Sequence, residues 1–289
     1  MPKRDHVNIV KSHNGLTKLI ITNDAAEAEI YLHGAHLTHY KKMGDTPLIF
    51  DAKESSITPP KSVHAGVPIC WPWFGSHRID PTLPQHGFAR DMLWELKSSH
   101  APNSATTIVT LMLTSSSVTQ KFFPYDFTLE IAFEISQELT ISLTTTNLAK
   151  TSFSITQALH TYFAVSDITE ITIHGVEKIP FIDYTDDKRE KVEKSALTIN
   201  QEINRVYIPT QHTCFIEDKG LKRRIVIEKN GSDSTTIWNP WKDNQYHDLP
   251  DDKYRKFVCI ETTNALEDTR TLVPNASHTI RQCISLRQW

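Results

Sequence analysis

No two of the four cysteines (Cys70, Cys214, Cys259 and Cys283) are close enough in the chain to form a CxxC pair. That spacing excludes a zinc framework of the common kind and fits a reducing compartment. No apolar stretch approaches the length of a membrane span. The opening residues, MPKRDHVNIV, lack the apolar centre of a secretory signal, so a cytoplasmic protein is expected. For such a protein the NGS at 230 and NAS at 275 are incidental matches to a glycosylation pattern. Lys and Arg total 31 against 34 Asp and Glu, with no basic stripe, so neither nucleic acid nor a membrane surface is an expected partner. GxSxG, a Walker loop and GxGxxG are also missing. Nucleophile-elbow hydrolases, P-loop enzymes and dinucleotide-binding folds are thereby set aside.

Helical periodicity is scarce too. What the chain has instead is alternation with period two. In FTLEIAFEI, Phe127, Leu129, Ile131, Phe133 and Ile135 take one side while Thr128, Glu130, Ala132 and Glu134 take the other. That is the pattern of an antiparallel strand with one face buried. KLIIT, AEIYL, PLIF, TTIVTLML, SFSITQALHTYF, ITEITI, RRIVIEK, STTIWN, KFVCIET and TIRQCISL read as further strands, rich in β-branched residues. Many strands joined by polar turns, with no βαβ alternation and no fixed repeat, specify an all-β sandwich or barrel. No linker divides the 289 residues, so a single domain over 1–289 is expected, with 1–25 peripheral. The mixed-charge run DDKREKVEK reads as a solvated surface loop.

One stretch, SITPPKSVHAGVPICWPWFGSHRIDPTLPQHGFARD, is proline-rich and poor in strand signals. Loops of this length inside a compact domain are usually functional. Within it Trp71, Trp73 and Phe74 are either a core plug or flat walls of a pocket. Gln85, His86 and Arg90 crowd around Gly87, a residue that permits a sharp bend and close backbone approach. Arg90 offers a planar fork suited to an anion or a pair of hydroxyls.

Two ionisable residues stand inside apolar strands. In TQALHTYFAV, alternation sets Ala158, His160, Tyr162 and Ala164 against Gln157, Leu159, Thr161 and Phe163. In FVCIET it sets Phe257, Cys259 and Glu261 against Val258 and Ile260. An imidazole and a carboxylate facing one cleft would form an acid–base pair for chemistry near neutral pH. Either residue alone reads equally as a satisfied core group. The three histidines of HGAHLTH lack a carboxylate at ligand-like spacing, so no metal is expected there. Glu130 and Glu134 alternate with a core face and read as the wet side of a sheet rather than a glycosidase pair.

Taken in order, GVPICWPWFG, LPQHGFAR, ALHTYF, FIDYTDD, NRVY, WNPW and FVCIET resemble the hexose-6-phosphate mutarotases (glucose-6-phosphate 1-epimerases) of the aldose 1-epimerase superfamily. The resemblance runs from about residue 30 onward. It implies a large twisted antiparallel β-sandwich, the galactose mutarotase-like supersandwich, in a monomer without cofactor or metal. It implies exchange of the α and β anomers of a sugar phosphate. By motif, His160 is the implied general acid and Glu261 the implied general base. Gln85, His86, Arg90 and Asp183 match substrate-binding positions. His64 stands where such enzymes commonly carry an arginine before the GVP segment, so Lys61 or Arg78 is a further candidate for the phosphate. The other readings are a carbohydrate-binding sandwich without catalysis and a mutarotase of an unphosphorylated aldose.

Overall fold

The computed structural model of the chain describes residues 6–51, 63–210, 213–242, 246, 249 and 252–288. Their regular structure is almost entirely antiparallel sheet. One eight-stranded sheet runs in the order Ile171–His174, Cys214–Asp218, Arg223–Asn230, Ser277–Gln288, Leu139–Asn147, Phe127–Ile135, Thr106–Thr114, Glu95–Asn103. We call it the back sheet. The front sheet runs Arg189–Val192, Pro180–Asp183, Ile203–Tyr207, Ser234–Asn239, Phe257–Asn264, Gln157–Leu159, Ile69–Cys70, with Tyr162–Ala164 also paired to Phe257–Asn264. A four-stranded meander from Val7–Lys11 to His36–Lys42 flanks them.

Alternation explains why the two large sheets close on each other. Phe127, Leu129, Ile131, Phe133 and Ile135 have no exposed surface. At ~1.5–3 kcal/mol per buried side chain, this one strand contributes roughly 7–15 kcal/mol of gross hydrophobic stabilisation, as an upper bound. That is comparable with the net stability of a typical whole domain. From the opposite side come Leu159, Phe163, Ile237, Val258 and Ile260 of the front sheet, in the same core cluster. Trp71, fully buried, packs on Phe127 and donates its indole N–H to Thr145 Oγ1, and Trp73 is buried beside it. These two tryptophans are therefore core, whereas Phe74 faces a cleft.

Two expectations change. Residues 17–25 are not peripheral, because Leu19 and Ile21 of the Thr17–Thr22 strand are fully buried in the main core. The stretch SFSITQALHTYF is not one strand but three, Phe153–Ile155, Gln157–Leu159 and Tyr162–Ala164. The second interruption falls at His160 and Thr161. There the His160 N–H leaves the ladder for Pro68 O at 3.1 Å and the Thr161 N–H bonds back to Leu159 O at 3.0 Å.

Candidate active site

The interruption does not shift the register. Leu159 is paired with Thr262 on one side of it and Tyr162 with Cys259 on the other, so His160 stands opposite Glu261. Both project from the outer face of the front sheet, away from the back sheet. Their ring and carboxyl meet with His160 Nε2 3.4 Å from Glu261 Oε1. Cross-strand neighbours on one face are placed for such contact. Tyr162, two residues on from His160, stacks beneath its ring at 5.0 Å and 13°. Trp238 meets the same ring edge-on at 6.0 Å.

The pair forms part of the floor of a cleft of about 460 Å³, within the range of small-molecule sites. Register supplies the rest of the floor. Thr236 is paired with Glu261, Val206 with Thr236, and Asn204 with Trp238. One wall is the 85–90 segment, carrying Gln85, His86 and Arg90. It is held by an unusual backbone. His86 and Gly87 both have left-handed φ, +66° and +74°, and a Cβ on Gly87 would lie 2.0 Å from Trp71 O. That close approach lets Trp71 O accept from Phe88 N–H and Ala89 N–H at 3.0 and 3.3 Å. The 3₁₀ turn Ala89–Asp91 follows, and Arg90 Nη2 donates to Gln85 O at 2.7 Å. His64 enters from the 63–68 segment, its ring 4.2 Å from Tyr246 and 6.1 Å from Trp238. Tyr184 and Lys188, on the turn between Pro180–Asp183 and Arg189–Val192, close the far wall.

Burial dominates the electrostatics. His160 is 8% exposed and Glu261 1%. Desolvation pushes the Glu261 carboxyl well above its ordinary range. It holds the His160 imidazole well below its own, and the neighbouring basic residues His86, Arg90 and His64 act in the same direction. Each group alone thus prefers its neutral form, and one proton has two homes between Nε2 and Oε1. His86 is pushed down to about 3, by burial first and then by Arg90 and His64. Its Nδ1 accepts the Gly75 N–H at 3.1 Å, which fixes the neutral tautomer with the proton on Nε2.

Four buried polar atoms in this cleft find no hydrogen-bond partner among the described residues: His160 Nδ1, Glu261 Oε2, Thr236 Oγ1 and Arg90 Nε. Buried polar atoms are nearly always paired. Their concentration around one cavity is what a polyhydroxylated ligand would satisfy. A larger, more open depression of about 800 Å³ lies by Gly44, Lys222 and Arg223. Arg223 there is tied to Thr46, Pro47 and Ala164 oxygens and acts as a strut.

Of the residues singled out in the sequence, His64, Gln85, His86, Arg90, His160 and Glu261 line one cleft. Asp183 does not, and its assignment to substrate is corrected. Its carboxylate accepts from Thr185 N–H and Oγ1 at 3.1 and 2.7 Å and from Lys191 Nζ at 2.8 Å. Burial raises its pKa, but these bonds outweigh burial and lower it. Lys61 lies outside the described residues. Arg78 is close enough to Tyr184 to act on it electrostatically but is not among the cleft-lining residues. Sequence reading passed over Lys188 and Tyr184. The charge run around them reads as solvated, and only the hairpin built from it turns the pair inward.

A β-sandwich of two large antiparallel sheets, with a histidine and a glutamate in contact in a cleft on one outer face, defines the class. The family model described as Aldose 1-epimerase matches residues 17–285, and the chain belongs to that family. It is an aldose epimerase, an isomerase acting on the anomeric centre of sugars. A protein of Escherichia coli (strain K12) named "Putative glucose-6-phosphate 1-epimerase" is 33% identical over 284 residues, 96% of this chain and 94% of its own length. A protein of the same name from Cenchrus ciliaris is 33% identical over 278 residues, covering 92% and 83%. The crystal structure titled as a putative mutarotase (YeaD) from Salmonella typhimurium superposes with a TM-score of 0.91 at 29% identity, covering 99% of this chain and 95% of that one.

Proposed function

We propose that this cleft interconverts the α and β anomers of a hexose 6-phosphate, glucose 6-phosphate first among them, with His160 as general acid and Glu261 as general base. The observation that carries the reading is the 3.4 Å separation of Nε2 and Oε1 at the floor of the cleft. Ring opening removes a proton from O1 and adds one to O5. Both oxygens are bonded to C1, so the acceptor and the donor must also be close neighbours. Glu261 takes the O1 proton, the C1–O5 bond breaks, and His160 protonates O5. Rotation about C1–C2 presents the other carbonyl face. The reverse proton transfers then close the ring, and no nucleophile or metal is needed.

A bound sugar also resolves the preference of each partner for neutrality. A hydroxyl donated to Glu261 Oε2, unpartnered among the described residues, favours the carboxylate. The shared proton then moves to His160. General acid and general base terms contribute ~10²–10⁴-fold each. Gln85, His86 and Arg90 hold the substrate, with the Arg90 fork for the phosphate or a hydroxyl pair. His64 completes that wall. The names of the relatives favour the phosphate ester, and four free cysteines suit a reducing, cytoplasmic setting.

Exchange NMR of glucose, galactose and glucose 6-phosphate with one enzyme preparation tests the reading. Faster equilibration of glucose 6-phosphate than of either free sugar is expected. Equal rates on glucose and glucose 6-phosphate would overturn the phosphate assignment and leave a mutarotase of free aldoses.

A further inference from the structure

A hexose 6-phosphate fixes the position of its own charge. Only C5, C6 and the ester oxygen stand between O5 and phosphorus. If His160 touches O5 and Glu261 touches O1, the phosphate lies beside the same imidazole, on the side away from Glu261. That side is the 85–90 wall. His86 meets His160 edge-on at 5.6 Å, and Arg90 and His64 are close enough to act on it electrostatically. Facing His160 from the other elements are Glu261 across the sheet and Tyr162 beneath the ring. Cys259 and Cys70 are buried, neutral thiols further along the sheet.

These neighbours differ in what they can do with a proton. Arg90 is a permanent cation. His86 is locked as a neutral donor, because a proton on Nδ1 would have to displace the Gly75 N–H. His160 has no such lock. Its Nδ1 is buried without a partner among the described residues, and its Nε2 is within reach of the proton shared with Glu261.

We propose that the substrate's phosphate arms the acid: an anion held at the Arg90 end of the cleft drives a proton onto His160, from Glu261 or from solvent, and does so even when supplied separately from the sugar. This rests on the hexose 6-phosphate reading and adds a reason for the phosphate beyond affinity. One unit charge about 6 Å away at an effective dielectric of about 20 moves an imidazole by roughly two pH units. That acts against the depression imposed by burial. An unphosphorylated hexose brings only the hydroxyl bond to Glu261 and leaves a smaller fraction of His160 protonated. Discrimination then appears in kcat as well as in KM, as expected of binding energy realised at the reacting centre.

Sulfate is a suitable probe, because it stays dianionic throughout the neutral range. The enzyme labelled with ¹⁵N-histidine is titrated with sulfate at pH 7, and the His160 resonances are assigned by their loss in His160→Gln. The expected result is a neutral imidazole without sulfate and an imidazolium, with both nitrogens protonated, at saturation. Sulfate should also accelerate α/β exchange of glucose about tenfold or more, and Arg90→Ala should abolish both responses. A His160 that stays neutral at saturating sulfate, or a glucose rate that sulfate leaves unchanged or only inhibits, overturns the proposal. If glucose 6-phosphate is still strongly preferred in that case, the functional reading survives and only the arming role falls. If glucose 6-phosphate is not preferred, the functional reading itself has failed.

Discussion

Gly87→Ala tests how the 85–90 wall is built. The residue has φ +74°, and the added Cβ would lie 2.0 Å from Trp71 O and 2.4 Å from Trp71 C. Both atoms are backbone, fixed by a fully buried indole, so the wall must move instead. An alanine in the left-handed region costs ~1–2 kcal/mol. The two hydrogen bonds from Phe88 and Ala89 to Trp71 O are worth ~0.5–1.5 kcal/mol each. The expected destabilisation is thus roughly 2–5 kcal/mol, or about 3–8 °C in Tm for a chain of this size. Displacing Gln85, His86 and Arg90 by about 1 Å should cost on the order of 10²-fold in rate. Gly44→Ala is the control, since Gly44 has φ +79° with nothing within 4 Å of the added Cβ. It carries the backbone penalty alone. Thermal unfolding and exchange NMR on both variants decide the matter. If Gly87→Ala matches Gly44→Ala in Tm and in rate, the close approach to Trp71 does not position the wall.

Asp183→Asn should lower Tm, by about 1–3 kcal/mol of lost charge-assisted hydrogen bonding to Lys191 and Thr185, and leave the exchange rate unchanged. A hundredfold fall in rate at constant Tm would return Asp183 to the substrate. His36 supplies a pH dependence. It is buried, its Nε2–H donates to Ala65 O at 2.9 Å, and burial lowers its pKa from 6.5 to about 4. The folded state therefore takes up this proton less readily than the unfolded state. The stabilisation is whole above about pH 6.5 and is lost as pH falls toward 4, by up to about 3 kcal/mol. Urea midpoints at pH 7 and pH 4.5 should show a smaller acid loss in His36→Gln. An equal loss in both proteins would contradict the assignment.

Strands of the back sheet such as Phe127–Ile135 were legible because they bury one face, and alternation records that directly; Ser234–Asn239 and Phe257–Asn264 of the front sheet are buried on both faces and were legible from their β-branched and aromatic residues. Ser234–Asn239 coincides with STTIWN, and Phe127–Ile135 with FTLEIAFEI. His160 and Glu261 were legible as ionisable residues on apolar strands, but their meeting was not. It depends on a register set by pairs on either side of a break, and alternation within one strand carries no register. The break itself arises from a tertiary bond, His160 N–H to Pro68 O, that no local pattern signals. Arg189–Val192 is an edge strand with largely exposed side chains, so its sequence resembles a loop. Lys188 and Tyr184 went unnoticed for that reason. Asp183 misled in the opposite direction: its motif drew attention while its carboxylate was already committed to Thr185 and Lys191.

The most direct measurement is the α/β exchange rate of glucose 6-phosphate, read by two-dimensional exchange NMR for the native enzyme, His160→Ala and Glu261→Gln. Far-ultraviolet circular dichroism on the same samples establishes that each variant is folded. Each substitution is expected to slow exchange by ~10²–10⁴-fold. A folded variant of either kind that exchanges anomers at the native rate would contradict the acid–base pair.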